Sequence, residues 1–320
     1  MPLRLIPDNT KIPFMKLAKI RTPISLALIV LSFVLLFTVG LNQGIDFKGG
    51  TVIEVRSKTP VADLAAIRET VSSLELGDVE VQGIGEPTDV LIRVATQPGG
   101  DAAQQAVVQK IQTALGSTDY EYRRVEVVGP RVSAELAWTG MIATIFTSIG
   151  IMAYIWFRFE WQFAIGALAT IIHDAILTVG FFALTQIDFN LTSIAAILTI
   201  IGYSLNDTVV IFDRIRELLR RYKTMPLGDL IDLATNQTLA RTIMTSMTTL
   251  LALFALYFFG GEVIRSFTAA MLWGVFVATA SSIFIGGPIL IYFNLRAKAA
   301  EPAAAKAKAA DTKPANPAEA

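Results

Sequence analysis

Residues 200–212, IIGYSLNDTVVIF, place one acidic side chain in the middle of a long apolar run. An aspartate at the centre of a membrane helix costs about 3 kcal/mol on insertion scales, and acids at that depth usually belong to a working site. The run is therefore predicted to cross a membrane as a helix. Its acid, Asp207, is the first candidate for function.

The composition indicates a multi-span membrane protein. Of 320 residues, 53% are hydrophobic and only 17% are charged, with a mean hydropathy of +0.55. The net charge is zero and no long basic patch occurs, so a nucleic-acid partner is not expected. The absence of cysteine excludes disulfides, thiolate nucleophiles and cysteine-ligated metals. With one histidine and no phosphate-binding lysine loop, we expect no metal, no cofactor and no enzymatic activity.

Six apolar stretches approach the 20 or so residues that a spanning helix needs. They lie near residues 24–41, 136–157, 163–187, 191–212, 243–259 and 267–293. The first stretch follows a basic segment, 1–23, and could also be read as a cleaved signal. A retained helix is the better interpretation, because the basic segment is long and the site after Gly40 is poor.

Lysine and arginine in the short connections predict the orientation. Arg158 lies between spans two and three, a predicted loop at about 213–241 carries six basic residues, and the opposite connections carry almost none. Both termini are therefore predicted to be cytoplasmic. The tract at 296–320 is rich in Ala, Lys and Pro, and is predicted to be a disordered cytoplasmic tail.

The segment 42–135 is predicted to be a separate domain on the outer side of the membrane. Alternating apolar residues predict strands, and a helical apolar period predicts two helices between them. The predicted elements are 51–56, 60–74, 79–84, 90–95, 101–115 and 120–128. Their order, βαββαβ, is that of a ferredoxin-like domain. The predicted fold is thus mainly α, with six membrane helices and one small α+β domain.

Polar residues share the helical face of Asp207. Tyr203, Ser204 and Arg214 recur at the three- to seven-residue spacing that defines one face, and Asn206 and Thr208 flank the acid. A buried acid whose cationic partner can approach and leave is suited to carry protons. The alternative is a fixed ion pair, or a neutral hydrogen-bonded acid, that only holds helices together.

Two further spans carry candidate residues. Arg241 opens span five with Thr245 on its face, but it could equally be a positive anchor at the membrane surface. Asp174 lies near the middle of span three beside His173. Asp174 is a candidate secondary proton site or a hydrogen-bond partner that keeps the helices in register, whereas a lone buried histidine is more often structural.

Small residues suggest two structural roles. Gly49 and Gly50, in a glycine-rich run after span one, are predicted to form a hinge between membrane helix and outer domain. Span six repeats small residues every four positions, which favours close helix packing. These residues are Ala270, Gly274, Ala278 and Ser282.

Several runs together resemble the SecF family of the bacterial Sec protein-export machinery. They cover nearly the whole chain and read GIDFKGGT (44–51), VGPRV (128–132), His173-Asp174, GYSLNDTVVIFDRIRE (202–217) and Arg241-Thr242 with Thr245-Ser246. The resemblance implies a six-span half of a transporter of the RND type, paired with SecD in the inner membrane, whose outer domain is periplasmic. It also implies that Asp207 and Arg241 match the functional acid and arginine of the family.

The resemblance further implies a function and partners. Such a pair works with the SecY, SecE and SecG channel complex, with YajC as a further candidate partner, and uses the proton motive force to help pull unfolded polypeptide across. Protons and membrane lipid are its other expected partners. Three alternatives stay open: an RND-type exporter of small molecules or lipids, a scaffold that moves no protons, and, more distantly, a membrane protease using Asp207 and Asp174.

Overall fold

The computed structural model of the protein describes residues 10–116, 118–261, 264–293 and 295. The elements in chain order are α1 (Phe14–Thr38), α2 (Ile45–Lys48), β1 (Gly50–Ser57), α3 (Leu64–Ser72), β2 (Val79–Gly83), β3 (Asp89–Val94), α4 (Gly100–Leu115), β4 (Tyr120–Val128), α5 (Pro130–Arg158), α6 (Trp161–Thr185), α7 (Leu191–Arg221), α8 (Leu227–Phe259) and α9 (Arg265–Ser281). The last helix continues through a π-helical turn, Ser282–Gly286, a short segment α10 (Gly287–Ile289) and a final 3-10 turn, Leu290–Tyr292.

Six helices in the described part of the chain are long and apolar enough to cross a membrane: α1, α5, α6, α7, α8, and α9 with its extension. This confirms the prediction of a multi-pass membrane protein. Helices α6, α7 and α9 form the buried centre of the bundle, whereas α1, α5 and α8 leave most of their apolar surface exposed. Small residues let the central helices approach closely; a side-chain carbon on Gly274 of α9 would collide with Ile200 of α7.

The extramembrane domain, residues 45–128, is a four-stranded antiparallel sheet in the order β2-β3-β1-β4. Helices α3 and α4 cover one face, where Ile67 and Ile111 pack on Ile53 and Val55 of the central strand β1. The order of strands and helices confirms the predicted ferredoxin-like fold. The apolar alternation of β1 and the paired helical stripes account for this core.

The opposite face of the sheet looks toward the membrane bundle. Val52, Leu91 and Ile45 form a small apolar cluster there. Around it lies a cleft of about 640 Å³ lined by polar residues of the sheet and by the connection between α6 and α7. The domain therefore rests on the loops that join the membrane helices.

The predicted connecting loop at 213–241 is mostly helical. Helix α7 extends to Arg221 and α8 already begins at Leu227, so only residues 222–226 are irregular. Apolar residues continue on one face of both helix ends, where Ile215, Leu218 and Ile231 join the core. Polar and charged residues on the other faces made these turns resemble a loop. Helix α1 similarly begins at Phe14, within the predicted N-terminal segment, and the predicted disordered tail at 296–320 lies outside the described residues.

Candidate functional site

Asp207 lies in the buried centre of α7 with only 3% of its surface exposed. The helix begins at a capping box in which Asn190 and Ser193 exchange hydrogen bonds, and this fixes the start of the span. The carboxylate oxygen Oδ2 of Asp207 is buried and has no hydrogen-bond partner within the described residues. A buried, unpartnered polar atom is costly, and in native structures it calls for an explanation.

The side chains that act on Asp207 from the neighbouring helix are Arg241 and Thr245 of α8. Arg241 acts on Asp207 through its charge, but it is exposed, and no ion pair joins the two within the described residues. Thr245 donates to the backbone carbonyls of Arg241 and Thr242. The hydroxyl of Thr242 is buried and lacks a hydrogen-bond partner as well. The α7/α8 contact thus contains polar groups whose bonding is incomplete.

Asp174, by contrast, is completely buried and fully bonded. Its Oδ2 accepts hydrogen bonds from Ser204 of α7 at 2.6 Å and Ser281 of α9 at 2.8 Å. Its Oδ1 lies 2.8 Å from Nδ1 of His173, whose Nε2 lies 2.6 Å from the hydroxyl of Ser25 in α1. If Nδ1 donates to the carboxylate, a neutral ring leaves Nε2 free to accept from Ser25. This Asp174 network joins four helices.

Other predicted polar residues form two smaller links. Tyr203 donates to Ser246 of α8 at 3.2 Å, and Ser246 lies 2.7 Å from Thr279 of α9. Thr208 donates to Ser282 at 3.2 Å. Asn206 is exposed on α7. The predicted polar residues therefore divide into a bonded centre and an exposed margin.

The predicted hinge glycines occupy a tight turn. Gly49 has φ +72° and Gly50 has φ +121°, conformations that other residues rarely adopt. A side-chain carbon on Gly50 would lie 2.5 Å from the carbonyl oxygen of Val94, and one on Gly49 would lie 2.7 Å from Thr96 Oγ1. Close packing explains why both positions are glycine, and a hinge role stays a prediction.

The small-residue stripe on α9 lies against the bundle centre. Ala270, Ala278 and Ser282 are at most 1% exposed, and Gly274 abuts Ile200 of α7. Ser282 also donates to the carbonyl oxygen of Ala278 in its own helix, at 2.8 Å. The stripe packs within this chain, on the helix that carries Asp207.

Sequence reasoning missed the residues that tie the extramembrane domain to α7. Asp46, within the glycine-rich run, accepts a hydrogen bond from the backbone N–H of Leu191 at 2.9 Å, at the first turn of α7. Arg93 of β3 donates to Asp188, just before α7, at 2.6 Å. The sequence did offer a signal for Asp46, because it is a charged residue inside the conspicuous glycine-rich run. It offered no such signal for Ser25 and Ser281, which bond within the Asp174 network.

The described ranges contain no group of three or more His, Asp or Glu side chains arranged to hold a metal ion. The site thus combines a buried acid that has an unpartnered oxygen with an exposed arginine on the neighbouring helix.

The chain matches two family models. The model of the C-terminal part of the protein export membrane proteins SecD/SecF covers residues 107–296, and that of the SecD/SecF GG motif covers residues 34–61. Similar curated proteins include the protein translocase subunit SecF of Rhodobacter capsulatus, 44% identical over 92% of both chains, and that of Rickettsia rickettsii, 45% identical over 91% of this chain and 95% of the other. The SecDF subunit of Brucella abortus is 45% identical over 92% of this chain, which covers 39% of that protein.

A solved structure supports the same family assignment. The crystal structure of SecDF from Thermus thermophilus, a translocon-associated membrane protein, superposes with a TM-score of 0.79 at 30% identity, over 91% of this chain and 40% of the other. The same family is indicated by the fold, by the two family models and by relatives matched over nearly their whole length. This chain belongs to the SecD/SecF family of protein-export membrane proteins, as a SecF-type component of the Sec translocase.

Proposed function

We propose that the chain, together with a SecD-type partner, uses the proton motive force to assist translocation of unfolded polypeptide across the bacterial inner membrane. The observation that carries the proposal is the contrast between two buried acids. Asp174 has both oxygens bonded, whereas Asp207 keeps one oxygen without a donor. The proposed activity is transport and requires no catalysed reaction.

Asp207 is the proposed proton carrier. A buried carboxylate with an unpartnered oxygen is unfavourable when ionised, so it gains from a proton or from an approaching cation. Arg241 is the proposed cation, because it is exposed and its charge reaches Asp207 without a fixed ion pair. Asp174 fits better as the hydrogen-bond partner that holds the helices in register, since its acceptors are already occupied.

The proposed coupling runs along α7. Asp46 caps the start of that helix, and Arg93 pairs with Asp188 next to it, so a movement of α7 would be passed directly to the sheet. An aromatic contact supports the same joint, with the rings of Phe47 and Phe189 stacked 5.6 Å apart. The end of α7 nearest the domain is thereby the mechanical link between proton site and domain.

The free energy available from one proton is too small for a full switch, which argues for more than one proton site. One charge crossing 100 mV releases about 2.3 kcal/mol. Reversing a two-state equilibrium from 1:99 to 99:1 needs about 5.5 kcal/mol. A single proton on Asp207 can bias such a switch but not reverse it. A matching acid on the SecD-type partner would add about 2.3 kcal/mol at 100 mV, and a third proton would exceed the requirement.

The exposed polar margin supports a partner beside α7 and α8. Asn206, Arg241 and Thr248 are exposed on these helices, where hydrocarbon would solvate them poorly. We assign this margin to the SecD-type half. The SecY, SecE and SecG channel, with YajC as a further candidate, is the proposed larger assembly, and lipid covers the apolar faces of α1, α5 and α8.

The test is Asp207→Asn in membrane vesicles that carry the Sec machinery and a secretory precursor. The variant should assemble normally, and export with a proton gradient should fall to the level measured after an ionophore collapses it. Asp229→Asn, the same substitution at an exposed acid in the first turn of α8, is the matched control and should export normally. Normal gradient-dependent export by Asp207→Asn would refute the proposal.

Two further results would favour the alternatives. A scaffold that moves no protons predicts that Asp207→Asn and Arg241→Met are both silent. An exporter of small molecules or lipids predicts that depletion of the chain sensitises cells to toxic compounds without accumulation of secretory precursors. Accumulated precursors are the result expected here.

A further inference from the structure

The ends of α5 and α7 away from the extramembrane domain enclose a cleft lined only by charged residues. Its volume is about 660 Å³. The lining consists of Arg158, Asp213, Arg216, Glu217, Arg220 and Arg221. Four arginines thus face two acids, and the residues of α7 recur at the three- and four-residue spacing of one helical face.

Most of the negative charge in this cleft is already engaged. Glu217 pairs with Arg214, which lies outside the lining. Asp213 lies 3.8 Å from Arg158, on the neighbouring helix. Both acids therefore have a cation beside them, and the four arginines of the lining exceed its two acids by two charges.

The arginines that remain lack anionic partners. Within the described chain, Arg216 and Arg220 make no hydrogen bond or ion pair, and Arg221 is placed over the ring of Tyr222, at 5.4 Å. The Nε atom of Arg216 is buried and has no acceptor. A buried N–H on a charged group gains most from a charged acceptor, because a neutral one compensates only part of the lost hydration.

Aromatic residues place the cleft at the depth of lipid headgroups. Trp156 and Phe157, in the last turn of α5, are 66% and 94% exposed, and Trp161 opens α6. Exposed tryptophans in such positions mark the boundary between hydrocarbon and water. Arg158 directly follows this pair, so the cleft opens where phosphates of a bilayer lie.

We propose that this cleft binds the phosphate of an anionic phospholipid, with Arg216 and Arg220 as its principal ligands. Planar guanidinium groups match phosphate oxygens with two parallel hydrogen bonds, and basic pockets between membrane helices are suited to such headgroups. The site is separate from Asp207 and does not depend on proton transport. A lipid bound there would hold the ends of α5 and α7 together.

The experiment counts phospholipids retained by the purified full-length chain, using native mass spectrometry after exchange into detergent. Phosphatidylglycerol should be retained in preference to phosphatidylcholine. Arg216→Gln with Arg220→Gln should weaken phosphatidylglycerol retention about tenfold or more, because the loss of each guanidinium removes charge-assisted hydrogen bonds to the phosphate. The matched control is Lys16→Gln with Lys19→Gln, which removes two exposed charges near the start of α1. This control should retain the lipid as the parent chain does.

The outcomes that overturn the proposal are specific. Equal loss in the lysine control would indicate general attraction to basic residues, and equal retention of phosphatidylcholine would show that no anion is recognised. Displacement of the lipid by an equal concentration of inorganic phosphate would indicate a free-phosphate site. If the glutamine variant fails to fold, Arg216→Lys with Arg220→Lys keeps the charges but loses the planar fork. Undiminished retention by that lysine variant would also refute the proposal.

Discussion

Two acids that look alike in the sequence occupy opposite situations at the scale of single residues. Asp174 accepts hydrogen bonds from Ser204 and Ser281 and shares one with His173, whereas Asp207 retains an unpartnered oxygen. Burial alone does not distinguish the two, since both are at most 3% exposed. Their hydrogen bonds do distinguish them, and on this difference we propose a structural role for Asp174 and a proton-carrying role for Asp207.

This difference predicts opposite effects of the same substitution. Asp174→Asn replaces one accepting oxygen of the Asp174 network with an amide donor, and should lower stability by about 1–2 kcal/mol, because hydrogen bonds within membrane bundles average about 0.6 kcal/mol each. We expect a lower midpoint of thermal unfolding in detergent while gradient-dependent export persists. Asp207→Asn should do the reverse. Loss of export by Asp174→Asn at unchanged stability would instead make Asp174 a proton site.

At the scale of elements, the start of α7 is the joint between membrane and domain. Asp46→Ala removes the carboxylate that accepts from Leu191. The variant should reduce gradient-dependent export, because the remaining contacts, such as Arg93 with Asp188, then pass on only part of the movement of α7. Asp63→Ala is the matched control: Asp63 caps α3 through the N–H groups of Ala65 and Ala66, entirely within the domain. Each lost cap costs about 1 kcal/mol, so stability alone cannot separate the two variants.

The coupling between α7 and the domain can be separated from proton binding by measuring the distance between a label on the domain and a label at the far side of the membrane bundle. The chain has no cysteine, so two introduced cysteines, at Ser73 in the domain and Lys223 at the far side, can carry spin labels alone. Asp207→Asn, which mimics the protonated acid, should change that distance in the parent chain, and should change it less in combination with Asp46→Ala. An undiminished change in the combined variant would disprove coupling through Asp46, while leaving the proton role of Asp207 in place.

Helices and strands could be predicted from the sequence where the apolar periodicity was strong. The side-chain contacts between them could not be predicted. Six spans and the βαββαβ order follow from apolar runs and alternation, which are local properties. The start of α8 was predicted too late because Asp229, Asp232 and Asn236 hide its apolar face, and two of these bond to the segment at the start of α1. The partners of Asp174 depend on which serines face inward, and only the packed bundle decides that.

At the scale of the whole molecule, charge sets the orientation that every proposed step requires. At one end of the bundle, Arg158 and Arg221 end their helices and Lys223 lies in the α7–α8 connection. The α6–α7 connection at the other end carries Asp188 and no basic residue. Basic residues in short connections remain on the cytoplasmic side. The extramembrane domain is therefore expected outside, where a moving domain could act on emerging polypeptide.

Single cysteines in the cysteine-free chain test this orientation. Ser73→Cys lies on the exposed surface of the domain, and Lys223→Cys lies in the short connection between α7 and α8. A membrane-impermeant maleimide should label Ser73→Cys in intact spheroplasts, and Lys223→Cys only after permeabilisation, because the bilayer shields the cytoplasmic connection. The parent chain should stay unlabelled throughout. The reverse pattern would put the domain in the cytoplasm, and protons flowing inward through Asp207 could then not drive withdrawal of polypeptide on the outer side.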